Sequence, residues 1–439
     1  MPRGGPPAPG GTSGPPVPSA GALDGPEGPR RRRVVLVACV GTAIAVAGVQ
    51  GIAPALPAMQ DHYGLSTAQV SLLTSLYLLP SIGSAFGSGV LADRVGPRPV
   101  FAGALALFGL CGLAVVLLSP ALGVLLAIRA VQGAAFGAVL ALSIVVIGAV
   151  APAGPEAARA QGRRTVSMAI AEASLPPVAG LLVAVSWSTP FALQALALPV
   201  AAWAWRAVPG GLQHGRRRGG GGLRAVLAEP AVGAVQVLGI VRFVAKFAIL
   251  TYVPVLAVGA LGMTPAQIGL WLGVSAALGA FAAWRTEPLA RRWSASTLVA
   301  AGLVAMTTAL LAMGAGGLLA VAPLLVAGLL LHGVQDGVDG VSHNVLVFEL
   351  APPAARGAYV GLAATTRNLG KFAAPLVLGG LTLVLTVAQG FLAMAALGAV
   401  AAPAARRVAR ARRAGVPPPP APAPSAPAPP DPDATADGG

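Results

Sequence analysis

Charged side chains are scarce in this chain. Asp, Glu, Lys and Arg make up 10% of its 439 residues, whereas 56% of the residues are hydrophobic and the mean hydropathy is +0.78. A soluble domain carries about 25% charged residues. The chain therefore has too little polar surface to cover its apolar side chains in water, and the composition indicates an integral membrane protein.

Cysteine is almost absent, and so are the common catalytic motifs. Cys39 and Cys111 each lie inside an apolar run, which offers neither a disulfide framework nor a cysteine metal cluster. The sequence contains no Gly-x-x-x-x-Gly-Lys-Ser/Thr, Gly-x-Ser-x-Gly or His-Glu-x-x-His run. These absences argue against an ATP site and leave an intramembrane enzyme as a remote alternative. We expect no catalytic residue, no cofactor and no metal.

The long apolar runs determine the predicted organisation, because about 20 residues cross a bilayer as a helix. They predict twelve helices at 34–58, 68–90, 99–118, 122–150, 163–186, 190–208, 230–258, 266–284, 295–314, 318–348, 357–381 and 386–404. A basic, Gly-rich linker at 209–229 separates an N-terminal bundle at 30–208 from a C-terminal bundle at 230–413. The tails at 1–29 and 414–439 are rich in Pro and Ala and are predicted to be disordered.

The basic residues alternate between loops. Arginines precede predicted helix 1, follow helix 12 and lie in the loops after helices 2, 4, 6, 8 and 10, whereas the other loops contain neither Lys nor Arg. Lys and Arg concentrate on the cytoplasmic side of membrane proteins. Both termini are therefore predicted to be cytoplasmic, in the cell membrane. The net charge of +15 is a topology signal and does not indicate a nucleic-acid partner.

A polar turn between predicted helices 2 and 3 carries the most specific motif. Because it holds three charges between two apolar runs, it cannot lie in hydrocarbon. The run Gly89-Val-Leu-Ala-Asp-Arg-Val-Gly-Pro-Arg98 closely resembles the signature loop of the major facilitator superfamily, with matches at Gly89, Leu91, Asp93, Arg94, Gly96 and Arg98. The resemblance implies a gating motif that links the two bundles on the cytoplasmic side. We expect Asp93 to contact the start of predicted helix 11.

Corresponding helices of the two halves have matching spacings. Glu172 lies four residues before a proline and eight before a glycine in predicted helix 5, as does Lys371 in predicted helix 11. Repeats that meet at a midplane site are typical of secondary transporters. In predicted helix 4, Leu126-x-x-Arg129-x-x-Gln132-Gly133 resembles the family motif whose arginine is often linked to proton coupling. Pro176-x-x-Ala179-Gly180 resembles a degenerate antiporter motif.

Eight charges lie inside predicted spans, where each costs at least about 2.5 kcal/mol at a helix centre and so needs a partner or water. They fall on predicted helices 4, 5, 7, 10 and 11, which the resemblance places around a central cavity. The candidates for proton coupling are Arg129, Glu172, His332, Asp336 and Asp339. The candidates for substrate binding are Gln50, Gln132, Arg242, Lys246, Gln335, His343, Arg367 and Lys371.

Predicted helix 10 carries the densest polar stripe. His332, Asp336, Asp339 and His343 step by four, three and four residues, which places them on one helix face. They fit a buried network that neutralises cations of helices 7 and 11, a proton path, or a divalent metal site. Glu172 is either a salt-bridge partner of Arg129 or Lys371, or a carboxylate that carries the coupling proton.

These features predict an all-α membrane protein with twelve transmembrane helices in two pseudo-symmetric six-helix bundles. The first functional hypothesis is proton-coupled efflux of a small organic molecule, and the alternative is uptake of an organic anion. The expected partners are a small-molecule substrate, protons and the lipid bilayer, and we expect a monomer. On predicted helices 7 and 11, four cations face three carboxylates of helices 5 and 10, so at least one cation is left for an anionic substrate group.

Overall fold

The computed structural model describes residues 28–151, 154–210, 230–350 and 356–415, which form helices and contain no strand. We number the membrane helices α1 to α12 and count an interrupted helix once. In the N-terminal half these are α1 (Gly28–Val46, continued by Leu56–Tyr63), α2 (Val70–Val95), α3 (Pro97–Leu118), α4 (Leu122–Val150), α5 (Pro155–Leu182) and α6 (Thr189–Phe191 and Ala192–Ala195, followed by Ala197–Ala207).

The C-terminal half repeats this arrangement. Its helices are α7 (Pro230–Leu261), α8 (Pro265–Trp284), α9 (Ala295–Leu318), α10 (Ala322–Glu349), α11 (Arg356–Leu381) and α12 (Val387–Met394, continued by Ala396–Gly415), with a short helix at Thr286–Arg292 between α8 and α9. The predicted twelve-helix fold is confirmed. Most of the predicted linker, residues 211–229, and nearly all of both predicted tails lie outside the described residues.

Some of the helices are interrupted or carry charged residues within their length. Within the described ranges, nine helices are long and apolar enough to cross a membrane by length and composition. The other three are α1, α6 and α11. The first two are interrupted, and α11 carries Arg367 and Lys371 within its length.

Several helices extend beyond their predicted ends. The arginines assigned to the loop after predicted helix 4 lie on α5, which begins at Pro155 rather than at 163, and those after predicted helix 12 lie on α12, which continues to Gly415. Proline suits the first helical position because no N–H is needed there. Long arginine stems carry their head groups to water while the helix continues. Hydropathy predicts where the chain leaves the hydrocarbon of the membrane, but these helices continue beyond that point.

The interruption in α1 brings a polar residue to the molecular centre. Residues 47–52 form turns, and a 3-10 turn at Ala53–Ala55 leads into the second part of the helix. Pro54 and Pro57 predict an end or kink here because proline lacks the N–H that continues a helix. Gln50 lies within this break, so it approaches the space between the two halves.

Glycines permit close packing at equivalent places in the two bundles. A Cβ on Gly133 of α4 would collide with the backbone carbonyl of Tyr77 on α2, and one on Gly333 of α10 would collide with the backbone carbonyl of Ser275 on α8. Small residues at such crossings let membrane helices approach closely. The α2–α4 and α8–α10 contacts are thus counterparts, which supports the predicted pseudo-symmetry.

The two bundles meet closely on one side of the molecule. A Cβ on Gly180 of α5 would collide with the backbone carbonyl of Pro265 on α8, and one on Gly379 of α11 would lie 3.0 Å from the Ser71 Cβ of α2. The Tyr252 hydroxyl of α7 donates to the Thr67 carbonyl at 3.3 Å. We call this the sealed side; it carries the loops near residues 64, 262 and 384. The signature loop lies on the other side.

Candidate functional site

A cavity of about 370 Å³ lies between the bundles, on the signature-loop side of these contacts. Residues of α1, α5, α7, α8, α10 and α11 line it, and both halves supply polar groups. The polar lining residues include Gln50, Thr165, Glu172, Arg242, Lys246, His332, Asp336, Asn344 and Arg367. Five of the predicted charges on α5, α7, α10 and α11 therefore line one central space: Glu172, Arg242, Lys246, Asp336 and Arg367.

Asp336 is the hub of a buried ion network at this cavity. Its Oδ1 lies 2.6 Å from Arg242 Nη2, and its Oδ2 lies 2.8 Å from Lys246 Nζ. The side chains of Asp336, Arg242 and Lys246 are 16%, 13% and 18% exposed. Buried charges need such compensation because desolvation is expensive. The two cations are four residues apart on α7, and one carboxylate between them offsets their repulsion.

Glu172 joins the network from the opposite bundle. Its Oε2 lies 3.4 Å from Lys246 Nζ, and its side chain is 29% exposed. The structure thus pairs Glu172 with Lys246 of α7, rather than with Arg129 or Lys371 as the sequence suggested. This ion pair crosses between the halves inside the cavity, where any relative movement of the bundles changes its length.

The rest of the polar stripe on α10 lies behind the cavity wall. Asp339 Oδ2 lies 3.4 Å from Arg242 Nε and accepts a 3.4 Å hydrogen bond from the side chain of Gln335. His343 is buried beside Gly239 of α7. His332 and Asp336 line the cavity, whereas Gln335, Asp339 and His343 do not. The single predicted stripe is therefore divided between two environments.

Arg129 occupies a separate, fully buried site in the N-terminal bundle. Its guanidinium donates to the Gly48 carbonyl at 3.0 Å, the Leu73 carbonyl at 3.2 Å and the Gln132 side chain at 2.8 Å. The Tyr77 ring lies 4.0 Å from its Cζ. Gln132 donates in turn to the side chain of Gln194. Arg129 and Gln132 thus tie α4 to its neighbours and do not line the cavity.

Two cations on α11 differ from those on α7. Arg367 lines the cavity, and its Nη1 donates to Asn344 Oδ1 at 3.4 Å. Lys371 is not a lining residue; its Nζ lies 5.3 Å from the Phe243 ring centre and 5.8 Å from that of Phe247. Among the described residues, no carboxylate forms an ion pair with either cation.

The signature loop lies away from this site. Gly96 has a φ of +89°, a conformation that favours glycine, and it separates α2 from α3. Asp93 and Arg94 are exposed, as is Leu91, while Arg98 stacks 4.4 Å from the Trp205 ring of its own bundle. A Cβ on Gly89 would meet open space. Asp93 is expected to contact the start of predicted helix 11, where the side chains of residues 356–358 and 360 lie outside the described part of the structure, so the gating role stays a prediction.

Other cavity features were missed by the sequence reasoning. Thr165 and Asn344 line the cavity beside the predicted charges, and Met168 and Phe243 contribute apolar walls. Asn344 could have been noted as an amide inside a predicted span. The described part of the chain holds no group of three or more His, Cys, Asp or Glu side chains placed to hold a metal ion.

Two pseudo-symmetric bundles around a charged central cavity define a polytopic membrane transporter. The family model described as Major Facilitator Superfamily matches residues 38–375. The chain belongs to the major facilitator superfamily.

Similar sequences and structures agree with this family. Two sequences of Dothistroma septosporum, both called Efflux pump dotC, are 36% identical over 128 residues and 37% identical over 139. Each match covers 29% of this chain and only 22% of the relative's length.

Solved transporters share the architecture. A bacterial homologue of the human lysosomal transporter Spinster, described as inward-facing and unoccupied, has a TM-score of 0.71 at 13% identity, covering 87% of this chain and 98% of its own. The xylose transporter XylE of E. coli, described as inward open, has a TM-score of 0.68 at 16% identity, covering 85% and 94%. At these identities the likeness shows the fold alone.

Proposed function

We propose that this protein is a secondary active transporter that exports a small organic molecule by alternating access, acts as a monomer and is driven by protons. The Glu172–Lys246 ion pair carries the proposal, because it joins the two bundles inside the cavity at 3.4 Å. The partial likeness to an efflux pump supports export. Repeats that rock around a central site are the usual basis of alternating access.

Protonation of Glu172 is the proposed coupling step. When the cavity is open toward the sealed side, a proton from that side reaches the carboxylate, which is partly exposed to the cavity. A neutral Glu172 no longer attracts Lys246, and in this protonated state the bundles re-form the α5–α8 and α2–α11 contacts and open toward the signature-loop side. Release of the proton on that side restores the Glu172–Lys246 pair. The deprotonated transporter then binds its substrate, separates those contacts and releases the substrate on the sealed side, so that the proton moves inward as the substrate moves outward.

Glu172→Gln is expected to abolish proton-driven transport while substrate exchange continues. Glutamine keeps the size of the side chain but cannot carry the proton. The measurement uses proteoliposomes and a radiolabelled substrate found by a vesicle screen, with and without a pH gradient. Glu287→Gln is the matched control, because Glu287 forms an exposed ion pair with Arg291 at 2.8 Å. Proton-driven accumulation at the wild-type level in Glu172→Gln would rule out the coupling role.

We also propose that the signature-loop side and both termini are cytoplasmic. In a variant with Cys39 and Cys111 replaced, single cysteines at Ser66 and Val384 should react with an impermeant maleimide in intact cells, because both positions are exposed on the sealed side. A cysteine at Arg291, which is 76% exposed, should react only after permeabilisation. Labelling of Arg291→Cys alone in intact cells would invert this orientation.

Uptake of an organic anion is the second candidate. The observation that favours it is Arg367, a cavity cation that forms no ion pair with a described carboxylate. Export and uptake differ only in direction, so the same screen separates them. Accumulation in inverted vesicles indicates export, and accumulation in right-side-out vesicles indicates uptake.

A further inference from the structure

The charges around the cavity do not balance. Within the described residues, the four cations Arg242, Lys246, Arg367 and Lys371 accompany three carboxylates, Glu172, Asp336 and Asp339. All four ion pairs of these carboxylates are made to Arg242 and Lys246 on α7. The α11 side of the site is therefore cationic, while the α7 side is already compensated.

Arg367 presents this excess charge to the cavity. Its Nε donates to the carbonyl of Ala363, one turn earlier on α11, at 3.1 Å, and its Nη1 donates to Asn344 Oδ1 at 3.4 Å. A guanidinium has five N–H donors. These two bonds, of which the second is long, leave three N–H donors of a cavity-lining guanidinium for an oxyanion.

Lys371 is held differently and does not compete for the same ligand. Its ammonium group lies over the faces of Phe243 and Phe247, where the ring quadrupoles attract a cation. It does not line the cavity. The ligand charge therefore has one well-defined partner, Arg367.

The remaining walls accommodate an apolar body. Phe243, Met168, Leu272 and Leu329 line the same cavity. Its volume of about 370 Å³ is near the lower end of the range of about 300–1,000 Å³ for small-molecule sites. A ligand with one or two aromatic rings and a single acidic group matches both the size and the distribution of charge.

We infer that the cavity binds amphipathic organic anions, with a carboxylate or phosphate on Arg367 and the apolar body beside Phe243. Planar guanidinium groups bind such oxyanions through paired, charge-assisted hydrogen bonds. The inference rests on the proposed transport function, because it names the substrate class of that cavity.

Binding of matched probes to the purified protein tests this site. The probes are 2-naphthoate, 2-naphthamide and 2-naphthylmethylammonium, measured by titration calorimetry at neutral pH in detergent. The wild type should bind the naphthoate at least tenfold more tightly than the amide, a difference of about 1.4 kcal/mol. The ammonium compound should bind most weakly.

Two variants test the role of Arg367: one removes its charge, and the other supplies a protein carboxylate that pairs with it. Arg367→Gln removes the cation, and the preference for naphthoate over naphthamide should disappear. Asn344→Asp places a carboxylate where the Asn344 amide oxygen lies, 3.4 Å from Arg367 Nη1. Because this side chain is exposed, the variant should keep the fold and lose the preference for naphthoate over naphthamide. Arg291→Gln is the control, because its exposed side chain lies outside the cavity, and it should preserve the wild-type preference.

Equal binding of acid and amide, tighter binding of the ammonium compound or no binding of naphthoate would overturn the anion site. So would an unchanged preference in both Arg367→Gln and Asn344→Asp. Proteoliposome transport is measured separately. An intact anion preference without proton-driven flux would reject the proposed function and keep the anion site, whereas proton-driven transport of a neutral compound without anion binding would overturn the anion site alone.

Discussion

Asp336→Asn is expected to lower the transport rate by at least about a hundredfold. Asp336 neutralises Arg242 at 2.6 Å and Lys246 at 2.8 Å, and asparagine leaves these cations with only the two longer 3.4 Å pairs. Removing one partner from a buried ion pair costs about 3–5 kcal/mol. Because about 1.4 kcal/mol corresponds to a tenfold change in rate, this cost corresponds to a loss of about two to nearly four orders of magnitude if the network stabilises the rate-limiting transition state more than the resting state.

The measurement is the initial rate of substrate flux in proteoliposomes, normalised to folded protein. Asp61→Asn makes the same chemical change at an exposed position and should leave the rate within about twofold. Equal rates for Asp336→Asn and the wild type would remove Asp336 from the transport cycle.

Arg129→Gln is expected to destabilise the folded protein by about 3 kcal/mol or more. Its guanidinium donates to the Gly48 and Leu73 carbonyls and to Gln132, and hydrogen bonds to charged groups contribute about 1.5–3 kcal/mol each. The Gly48 carbonyl lies in the interrupted part of α1, where the regular helical hydrogen bonds stop. Arg129 therefore satisfies backbone that a continuous helix would satisfy by itself.

Thermal unfolding in detergent, followed by size-exclusion fluorescence, measures this effect. Arg129→Lys should also lower the unfolding temperature, because an ammonium group cannot reproduce the fork of the guanidinium. Arg159→Gln on the exposed start of α5 is the control and should unfold like the wild type. An Arg129→Gln protein with wild-type stability but lost proton coupling would instead support the coupling role that the family resemblance implies.

The helices and the location of the polar cavity could be predicted from the sequence. Hydropathy finds α4 at Leu122–Val150 because both of its ends coincide with the ends of an apolar run. It misplaces the start of α5, where helix and membrane end at different residues. Charges inside apolar runs indicate a cavity because lipid would not tolerate them. That inference needs only the hydropathy of each run and no knowledge of how the helices are rotated.

The partners within the cavity could not be predicted in the same way. The sequence suggested Arg129 or Lys371 as the salt-bridge partner of Glu172. The observed partner is Lys246, because the rotation and tilt of each helix are set by packing against its neighbours. Arg129 illustrates the same limit: an intrahelical charge suggests a carboxylate partner, while the structure supplies two backbone carbonyls, Gln132 and an aromatic face.

The glycine contacts at the sealed side also bear on how well the protein insulates the membrane. Along α8 the close approach to α5 runs from Pro265 to Gly273, about 12 Å at about 1.5 Å per residue. Neither this segment nor residues 173–182 of α5 contains a titratable side chain. Protons that reach Glu172 from one side therefore find no titratable relay through these two segments, and we expect this contact to limit proton leak between the two sides of the membrane.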